Sequence, residues 1–573
     1  MNCRWILPPT EPGEISGLAA ELAVSPLLAR CLWNRGLRGC GAARDFLEPR
    51  LRNLSDPLAI PGLSAAITRL DAARARGERV LVFGDYDVDG ITATALLLQV
   101  LRALGWSVDG YLPHRLEEGY GLTREAVENA LQQHPATLLV AVDCGSTATA
   151  TIDWLRGQGV DTIVVDHHQV TAPGPAAVAL VNPHAASEGT NGRELCSVGL
   201  AFKLAHALVK RERAEAGPGR PTLDLRHFLD LVALGTIADL VPLTGENRIL
   251  VSAGLARLND ARRPGLAALA RVAQVPQRIG PCEVAFQLGP RLNAAGRLES
   301  AGEALQLLME EDAERAVALA ESLDAQNRER QAIERSIAEH VIHAVRARFH
   351  PETDYVIVEG SLEWHVGVVG IVASRVLHEF YRPTLILGGD GHCWRGSGRS
   401  IEGFDLACAL RGCGDLLERH GGHAMAAGVT VRPENVAALR RRLNEQARRV
   451  LTAESLLPPL RLDGTAVLGE LTLEQLAEFR RLEPGGQGNP PVQLVVRGLR
   501  LCRPPHRIGR EQQHLKLRVS DGRTSCDVVW WGGGSKPWPT DAFDLACAPQ
   551  INEYDGRRTV QLKLLDWRPA AAR

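Results

Sequence analysis

Three short apolar runs, each ending on an aspartate, constrain this chain more than any other feature. They are Arg79–Gly84 (RVLVFG), Thr137–Val142 (TLLVAV) and Thr162–Val165 (TIVV), followed at once by Asp85, Asp143 and Asp166. Runs this short and this continuously apolar read as strands buried on both faces of a parallel sheet. A further strand at Ser107–Leu112 and helix-like stretches such as Thr92–Leu104 alternate with them. Strand and helix in alternation predict a doubly wound, mainly parallel α/β sheet reaching to about residue 250. In such a sheet ligands bind beyond the carboxyl ends of the strands, which is where this chain carries its acids.

The chain of 573 residues is too long for one core, and about three to four domains are expected. Residues 1–60 read as a helical lead-in, 61–250 as the α/β domain and 251–349 as a helical connector. Within the connector, Glu303–Phe349 has almost no glycine or proline and reads as one long helix. A second α/β pattern begins at Tyr355–Glu359 (YVIVE) and fills 350–452. Pro458 and Pro459 read as a linker, and KLRV, DVVW and TVQLKLL within 458–573 read as short strands of a small barrel. No apolar run approaches the ~20 residues that span a bilayer, and the start does not read as a secretion signal. No membrane and a cytoplasmic address are expected. The twelve cysteines are scattered without a C-x-x-C pair, which predicts plain thiols in a reducing compartment. Net charge is −2, so any nucleic-acid surface must be local. Residues 491–573 carry 14 lysines and arginines against 8 acids, which makes that stretch the place to look.

The acids form an ordered series. Asp85, Asp87 and Asp89 (GDYDVDG) follow the first strand, Asp143 (VDCG) the third, Asp166–His167–His168 (VDHH) the fourth, and Asp239 (GTIADLVPL) comes after a later helical stretch. Carboxylates crowded at one sheet edge repel, and leaving them unpaired in a cleft is costly. Divalent cations remove that cost, and carboxylate with imidazole suits Mn²⁺ or Mg²⁺. Two ions ~3.5–4 Å apart can clamp a phosphate, activate water and stabilise a leaving oxygen. Singly, each motif has a plainer reading. GDYDVDG imitates a calcium loop of EF-hand type, but Leu96 stands where that loop needs glutamate. Asp143 could cap a helix, and His167 with His168 could be a buried pair. Four acid-bearing motifs in succession are not assembled from unrelated caps.

Downstream, RLNAAGR sets Arg291, Asn293 and Arg297 around a short flexible stretch. SGRS adds Ser397 and Arg399, and GGHAMAAG offers the bare backbone of Gly421 and Gly422 with the imidazole of His423. Arginine grips phosphate bidentately and small residues let a polynucleotide backbone approach. On its own, GGHAMAAG reads more readily as tight helix packing. In the tail, Trp530, Trp531, Trp538 and Trp567 lie among Arg507, Arg510, Lys516, Arg518, Arg557 and Arg558. That mixture suits single-strand binding by an OB-fold, although at least two of the tryptophans are expected in the barrel core.

GDYDVDG, VDCG, VDHH, Asp239 and GGHAMAAG resemble the successive motifs of the DHH phosphoesterase superfamily. RLNAAGR, EWHVGVVGIVASR (Glu363–Arg375) and SGRS resemble its bacterial RecJ branch, the single-strand-specific exonucleases. The resemblance covers about residues 60–450, and the tail resembles the RecJ OB-fold in broad pattern. It implies a two-lobed DHH core, with a DHH-associated α/β lobe joined by the long helix, and a C-terminal OB-like barrel. It further implies Asp85, Asp87, Asp143, His167 and Asp239 as ligands of two Mn²⁺ or Mg²⁺ ions, with Asp143 between them and Asp89 and His168 as ligands or their supports. Asp143, His168 and His423 would be catalytic. Arg291, Asn293, Arg297, Ser397, Arg399, Gly421, Gly422 and His423 would bind substrate, with Arg297, Ser397 and Arg399 on the 5′-terminal phosphate. The implied reaction is processive 5′-to-3′ removal of mononucleotides from single-stranded DNA by two-metal hydrolysis, in recombination and repair. The implied partners are single-strand-binding protein and a RecQ-type helicase, with the enzyme itself a monomer. A DHH hydrolase of short substrates is the nearest alternative, but the long connector and basic tail suit a polymer better. A non-enzymatic DNA-binding scaffold, like the eukaryotic replicative helicase subunit related to RecJ, would have lost ligands, and here the set is whole.

Overall fold

The computed structural model describes residues 3–9, 11–115, 117–170, 172–216, 222–298, 300–389 and 393–570. It divides into two compact units, Asp45–Arg330 with Leu482–Pro490, and Met1–Arg44 with Gln331–Arg481 and Pro491–Arg573. Among the described residues, no single helix is long and apolar enough to cross a membrane.

The first unit is built on five parallel strands: β1 (Arg79–Phe83), β2 (Ser107–Tyr111), β3 (Leu138–Val142), β4 (Asp161–Val165) and β5 (Ala179–Val181). Their order is β2-β1-β3-β4-β5. All five residues of β3 are buried, and so are four of five in β1 and β4. This is the two-faced burial that continuous apolar runs predict. From β1 the chain turns to β2 on one side and returns to β3 on the other. The β1/β3 boundary is therefore the topological switch point, where the crevice of such a sheet opens.

Helix α1 (Leu63–Arg76) precedes β1. Helix α2 (Val88–Ala103) follows it and is buried along nearly its whole length. Helices α3 (Arg124–Gln133) and α4 (Thr149–Gly157) flank β3, and α5 (Ser197–Ala216), α6 (Leu229–Ala238) and α7 (Gly245–Asn259) follow the sheet. α6 has buried residues all round, as a helix inside a core must. Two buried cations tie this unit together. Lys203 on α5 donates to the Ser55 carbonyl and to Glu246 on α7, both at 2.9 Å. Arg248 on α7 donates to the carbonyls of Phe46, Leu482, Glu483 and Pro484. RLNAAGR, expected to be flexible, lies in helix α8 (Gly289–Leu298). Its glycine serves packing rather than bending: a Cβ at Gly296 would stand 2.7 Å from the Tyr86 carbonyl oxygen. The single helix expected over Glu303–Phe349 is interrupted once, between a helix at Gly302–Met309 and the 34-residue α9 (Ala313–Arg346), and the connector before it is several shorter helices.

In the second unit, β6 (Ile357–Ser361), β7 (Thr384–Gly389), β8 (Trp394–Arg399), β9 (Leu417–Gly422) and β10 (Ala426–Val431) form a sheet in the order β9-β10-β8-β7-β6. Only β6 and β7 are parallel. Helices α10 (Val369–Phe380) and α11 (Val436–Val450) accompany this sheet. The C-terminal sheet contains β11 (Gly464–Ala466), β12 (Leu494–Leu501), β13 (His506–Ile508), β14 (His514–Ser520), β15 (Ser525–Trp530), β16 (Phe543–Tyr554) and β17 (Arg557–Pro569). Its order is β11-β12-β16-β17-β15-β14-β13, and β12 also pairs with β14, which closes the sheet into a small barrel. The N-terminal lead-in is clasped by this unit. Arg4–Ile6 pairs parallel with Pro459–Arg461, and Arg35 bridges Asp463 at 2.9 Å.

A Cβ on Gly254 of α7 would run into the Leu229 carbonyl oxygen of α6. Alanine improves an isolated helix by about 1 kcal/mol, but overpacking against fixed backbone costs about 1–3 kcal/mol or more. Gly254→Ala is therefore expected to lower the melting temperature of the first unit by several degrees. An unchanged or raised melting temperature would show that α6 and α7 can part freely.

Candidate metal centre

The acids gather because three strand ends and two helices deliver them to one crevice. After β1, Asp85 keeps its backbone against the first turn of α2, and a Cβ on Gly90 would lie 2.6–2.8 Å from Asp85 backbone atoms. Asp87 caps α2, its Oδ1 accepting from the amides of Asp89 and Gly90. Asp143 caps no helix, since α4 after β3 has Ala148 at its N-cap and no side-chain cap, and the Asp85–Asp89 loop joins strand to helix, unlike a calcium loop of EF-hand type. Asn293 of α8 adds a second cap, accepting from the Val88 amide at 3.1 Å. Asp89 is 1% exposed and accepts from the amides of Ser197 and Val198 at the start of α5. Asp143 directly follows β3 with φ +64°, a left-handed conformation that a non-glycine residue holds only where its surroundings over-determine it.

Three sets of ligand atoms each lie within 4.8 Å of one another: Asp85, Asp87 and Asp143; Asp89, His167 and Asp239; and Asp143, His167 and His168. His167 Nε2 is 3.5 Å from Asp143 Oδ1, 3.6 Å from Asp239 Oδ2 and 3.9 Å from Asp89 Oδ2. Buried polar atoms normally find partners, yet Asp85 Oδ2, His167 Nε2 and Asp239 Oδ2 are buried with none. Burial and then the Asp87 charge push Asp85 up to about 8. Burial and then Asp89 push Asp239 up to about 9. Asp143 is raised well above the carboxylate range by burial and the charges of Asp89, Asp87 and Asp85, while burial lowers His167. These are the signatures of ligand atoms gathered for a cation.

His168 has a different setting. Its Nδ1 is 2.7 Å from Asp166 Oδ1, and Asp166 also accepts from the amides of Ser146 and His168. Burial favours the neutral forms, but the His168 pairing outweighs it and holds Asp166 well below the carboxylate range. The same pairing raises His168 to about 9 against burial. Asn182 steadies the pair, donating to Ser146 Oγ and the His168 carbonyl at 2.8 Å each, and Ser197 Oγ donates to Asp143 Oδ1 at 2.8 Å. Asn182 and Ser197 were not singled out in the sequence. Asp166 stood in the acid series because it follows its strand as Asp85 and Asp143 follow theirs, but its role as the partner of His168 was not read there.

Of the residues expected to bind substrate, Arg291 is tied to Asp324 and to the Gln287 carbonyl, and Asn293 to the α2 cap. Both brace the helices that carry the site. Burial and then neighbouring Arg115 lower the Arg297 guanidinium to about 10, with Arg330 adding to the effect. Arg115 lies over the Tyr86 ring, 4.9 Å from its centre. Positive charge therefore collects around Tyr86, inside the acidic motif itself.

In the second unit the sheet makes neighbours of SGRS and GGHAMAAG: Ser397 pairs with Gly428 and Arg399 with Ala426. The glycines and His423 form an exposed hairpin between β9 and β10, not the helix packing of the plainer reading. Arg399 donates to Ser397 Oγ at 2.9 Å, and a Cβ on Gly370 at the start of α10 would meet that Oγ and Arg399 Nη2 at 3.0–3.1 Å. In the barrel, Trp530 is buried, Trp567 packs edge-on to Phe543, and Trp531, Trp538 and Tyr554 are 50%, 38% and 78% exposed.

Comparison with known proteins agrees with this architecture. The DHH family N-terminal domain matches residues 79–236, the DHHA1 domain 353–449 and the RecJ OB domain 462–566. The single-stranded-DNA-specific exonuclease RecJ of Bacillus subtilis is 36% identical over 98% of this chain and 70% of its own length. That of Escherichia coli is 35% identical over 96% and 97%. The crystal structure of RecJ in complex with Mn²⁺ from Thermus thermophilus superposes with a TM-score of 0.84 at 32% identity, over 99% of this chain and 80% of the other. With that identity across nearly its whole length, and DHH, DHHA1 and RecJ OB domains in order, the chain belongs to the RecJ family of single-stranded-DNA-specific exonucleases.

Proposed function

We propose that this chain is a metal-dependent exonuclease that removes mononucleotides from single-stranded DNA in the 5′-to-3′ direction, in recombination and repair. The observation that carries the reading is the set of buried, partnerless ligand atoms on Asp85, His167 and Asp239, facing carboxylates whose protonation burial and mutual repulsion have raised. Asp85, Asp87 and Asp143 would hold one Mn²⁺ or Mg²⁺ ion and Asp89, His167 and Asp239 the other. Asp143 belongs to the first set and lies 3.5 Å from His167 of the second. Such a pair of ions supplies Lewis acidity, activating water and stabilising the leaving oxygen of a phosphodiester.

The protein groups do the rest. Asp166 takes the Nδ1 side of His168 at 2.7 Å and keeps the ring charged below about pH 9, which would leave the proton on Nε2 available to a departing 3′-oxygen. Arg115 beside Tyr86 and Arg330 both repel Arg297, and a backbone phosphate would relieve that repulsion. In the second unit Ser397 and Arg399 are the candidates for the 5′-phosphate and His423 for the strand beside the cleaved bond. Trp531, Trp538 and Tyr554, exposed on the barrel, offer faces for base stacking. Single-strand-binding protein and a RecQ-type helicase fit this role as partners, and the enzyme works as a monomer in the cytoplasm.

The direct assay offers a long 5′-phosphorylated strand and its duplex, labelled at either end, with Mn²⁺ or EDTA. Early release of 5′-labelled mononucleotide from the single strand alone, abolished by EDTA, is expected. Survival of the long strand while dinucleotides are cleaved would assign a short-substrate hydrolase instead. Asp143→Ala is expected to lose far more activity than the roughly 10–100-fold typical of an outer partner, while Asp166→Asn falls within that range. Single-strand affinity stays near that of the parent in both. Full activity in Asp143→Ala would remove the two-ion assignment.

Metal binding and pH are linked with a definite sign. Asp85 and Asp239 titrate near 8 and 9 in the metal-free fold, against about 4 for an unfolded aspartate. Raised values mean stability that is present at low pH and lost as pH climbs through the folded values. Ions displace those protons. The rise in melting temperature on adding Mg²⁺ should therefore grow between about pH 6 and about pH 9, and a rise that shrinks over that range would contradict the cluster's assignment.

A further inference from the structure

The stretch Leu482–Pro490 (LEPGGQGNP) belongs to the catalytic unit, although the residues on both sides of it, to Arg481 and from Pro491, belong to the other. It is anchored along its length. Arg248, 1% exposed, donates to the carbonyls of Leu482, Glu483 and Pro484. Asn489, also 1% exposed, donates back to Leu482 and Pro484 at 2.8 Å each, and Gly486 and Asn489 exchange backbone hydrogen bonds.

What this strap presses on is the loop that leaves Asp239. Helix α6 ends there, Leu240 turns in the left-handed region with φ +60°, and the chain runs through Val241, Pro242 and Leu243 to α7. The Leu243 amide donates to the Gln487 carbonyl at 2.7 Å. A Cβ on Gly486 would stand 2.6 Å from Leu243 Cδ1. One on Gly488, whose φ is +71°, would stand 3.0 Å from Pro242 Cβ. The two glycines are thus required by close approach, and by backbone sign at Gly488. On the far side of the loop, Asn247 donates to the Pro242 and Glu194 carbonyls.

Asp239 is the one member of the metal cluster at a helix C-terminus rather than after a strand, and its Oδ2 has no hydrogen-bond partner. No ladder bond of the sheet fixes the chain beyond it. We infer that the strap Leu482–Pro490 is a positioning element for Asp239: it clamps the Leu240–Leu243 loop and so sets the site formed by Asp89, His167 and Asp239. This rests on the metal reading given above. A ligand held from one side by helix and from the other by a soft loop binds metal weakly, and the strap removes that softness. It also makes affinity at this site depend on a segment continuous in sequence with the barrel.

Mn²⁺ binding to the full chain, followed by electron paramagnetic resonance, tests this without reference to turnover. In the parent, two ions are expected. In Gly488→Val, one ion should bind about tenfold or more weakly while the other is unaltered. Excess Mn²⁺ should restore kcat, with KM for single-stranded DNA unchanged. Gly486→Ala, whose methyl meets only the Leu243 side chain and no backbone, is the milder variant, with a smaller shift in the same ion. Hydrogen exchange on the unaltered chain supplies a measurement free of substitution: Mn²⁺ should slow exchange in 482–490 together with 240–243, and Asp239→Asn should abolish that slowing. Parent-like binding of both ions in either folded glycine variant, or Mn²⁺ protection of the Asp85 loop without the strap, overturns the inference and leaves the metal centre standing. If Asp239→Asn binds both ions as the parent does, the metal reading fails, and this inference with it.

Discussion

Repulsion among buried carboxylates is the constraint on which the rest of the catalytic unit depends. Asp85, Asp89 and Asp143 are each about 1% exposed, and each has its protonation raised by burial and by acidic neighbours. A fold does not collect such groups at no cost. The parallel sheet makes the gathering possible, because β1, β3 and β4 all end at the same edge. The switch point between β1 and β3 then leaves a crevice where a helix would otherwise cover them.

Holding the acids apart from casual partners takes as much structure as bringing them together. Asp87 spends one oxygen on capping α2 and Asp89 meets the first amides of α5, so backbone amides fix the position of two acids. Gly90 and Gly235 leave out side chains where α2 meets the Asp85 backbone and where α6 meets Asp89 and Val198. Asp166, by contrast, is satisfied completely by His168 and Ser146. The VDHH motif thereby places two unlike imidazoles side by side, His167 with a buried nitrogen that has no hydrogen-bond partner and His168 oriented by Asp166.

The parts legible in the sequence were those governed by local pattern. Buried parallel strands show as continuous apolar runs, and their acids show because charge at such a run's end has little structural use. What depended on distant contacts was not visible. RLNAAGR looked flexible, yet α8 is held by Arg291 on Asp324 and by close packing of Gly296 on Tyr86. GGHAMAAG looked like helix packing because its small residues carry no strand signal, and only pairing with β8 makes it a hairpin. Residues 1–60 read as a lead-in because nothing local announces Arg35 meeting Asp463 or places the stretch up to Arg44 with the second unit. Leu482–Pro490 has the composition of a linker, and its place in the catalytic unit comes from Arg248, far away in sequence. Of the four tail tryptophans, only exposure separates Trp531 and Trp538 from the packed Trp530.

The central claim is that one cluster of aspartates and histidines binds two divalent ions as a pair. Pulsed electron paramagnetic resonance of the protein loaded with Mn²⁺ reads this most directly, through the magnetic coupling between neighbouring ions. A pair separated by ~3.5–4 Å, as bridged two-metal sites require, should give a strongly coupled spectrum that disappears at one ion per chain. A spectrum of isolated Mn²⁺ at full loading would contradict the account.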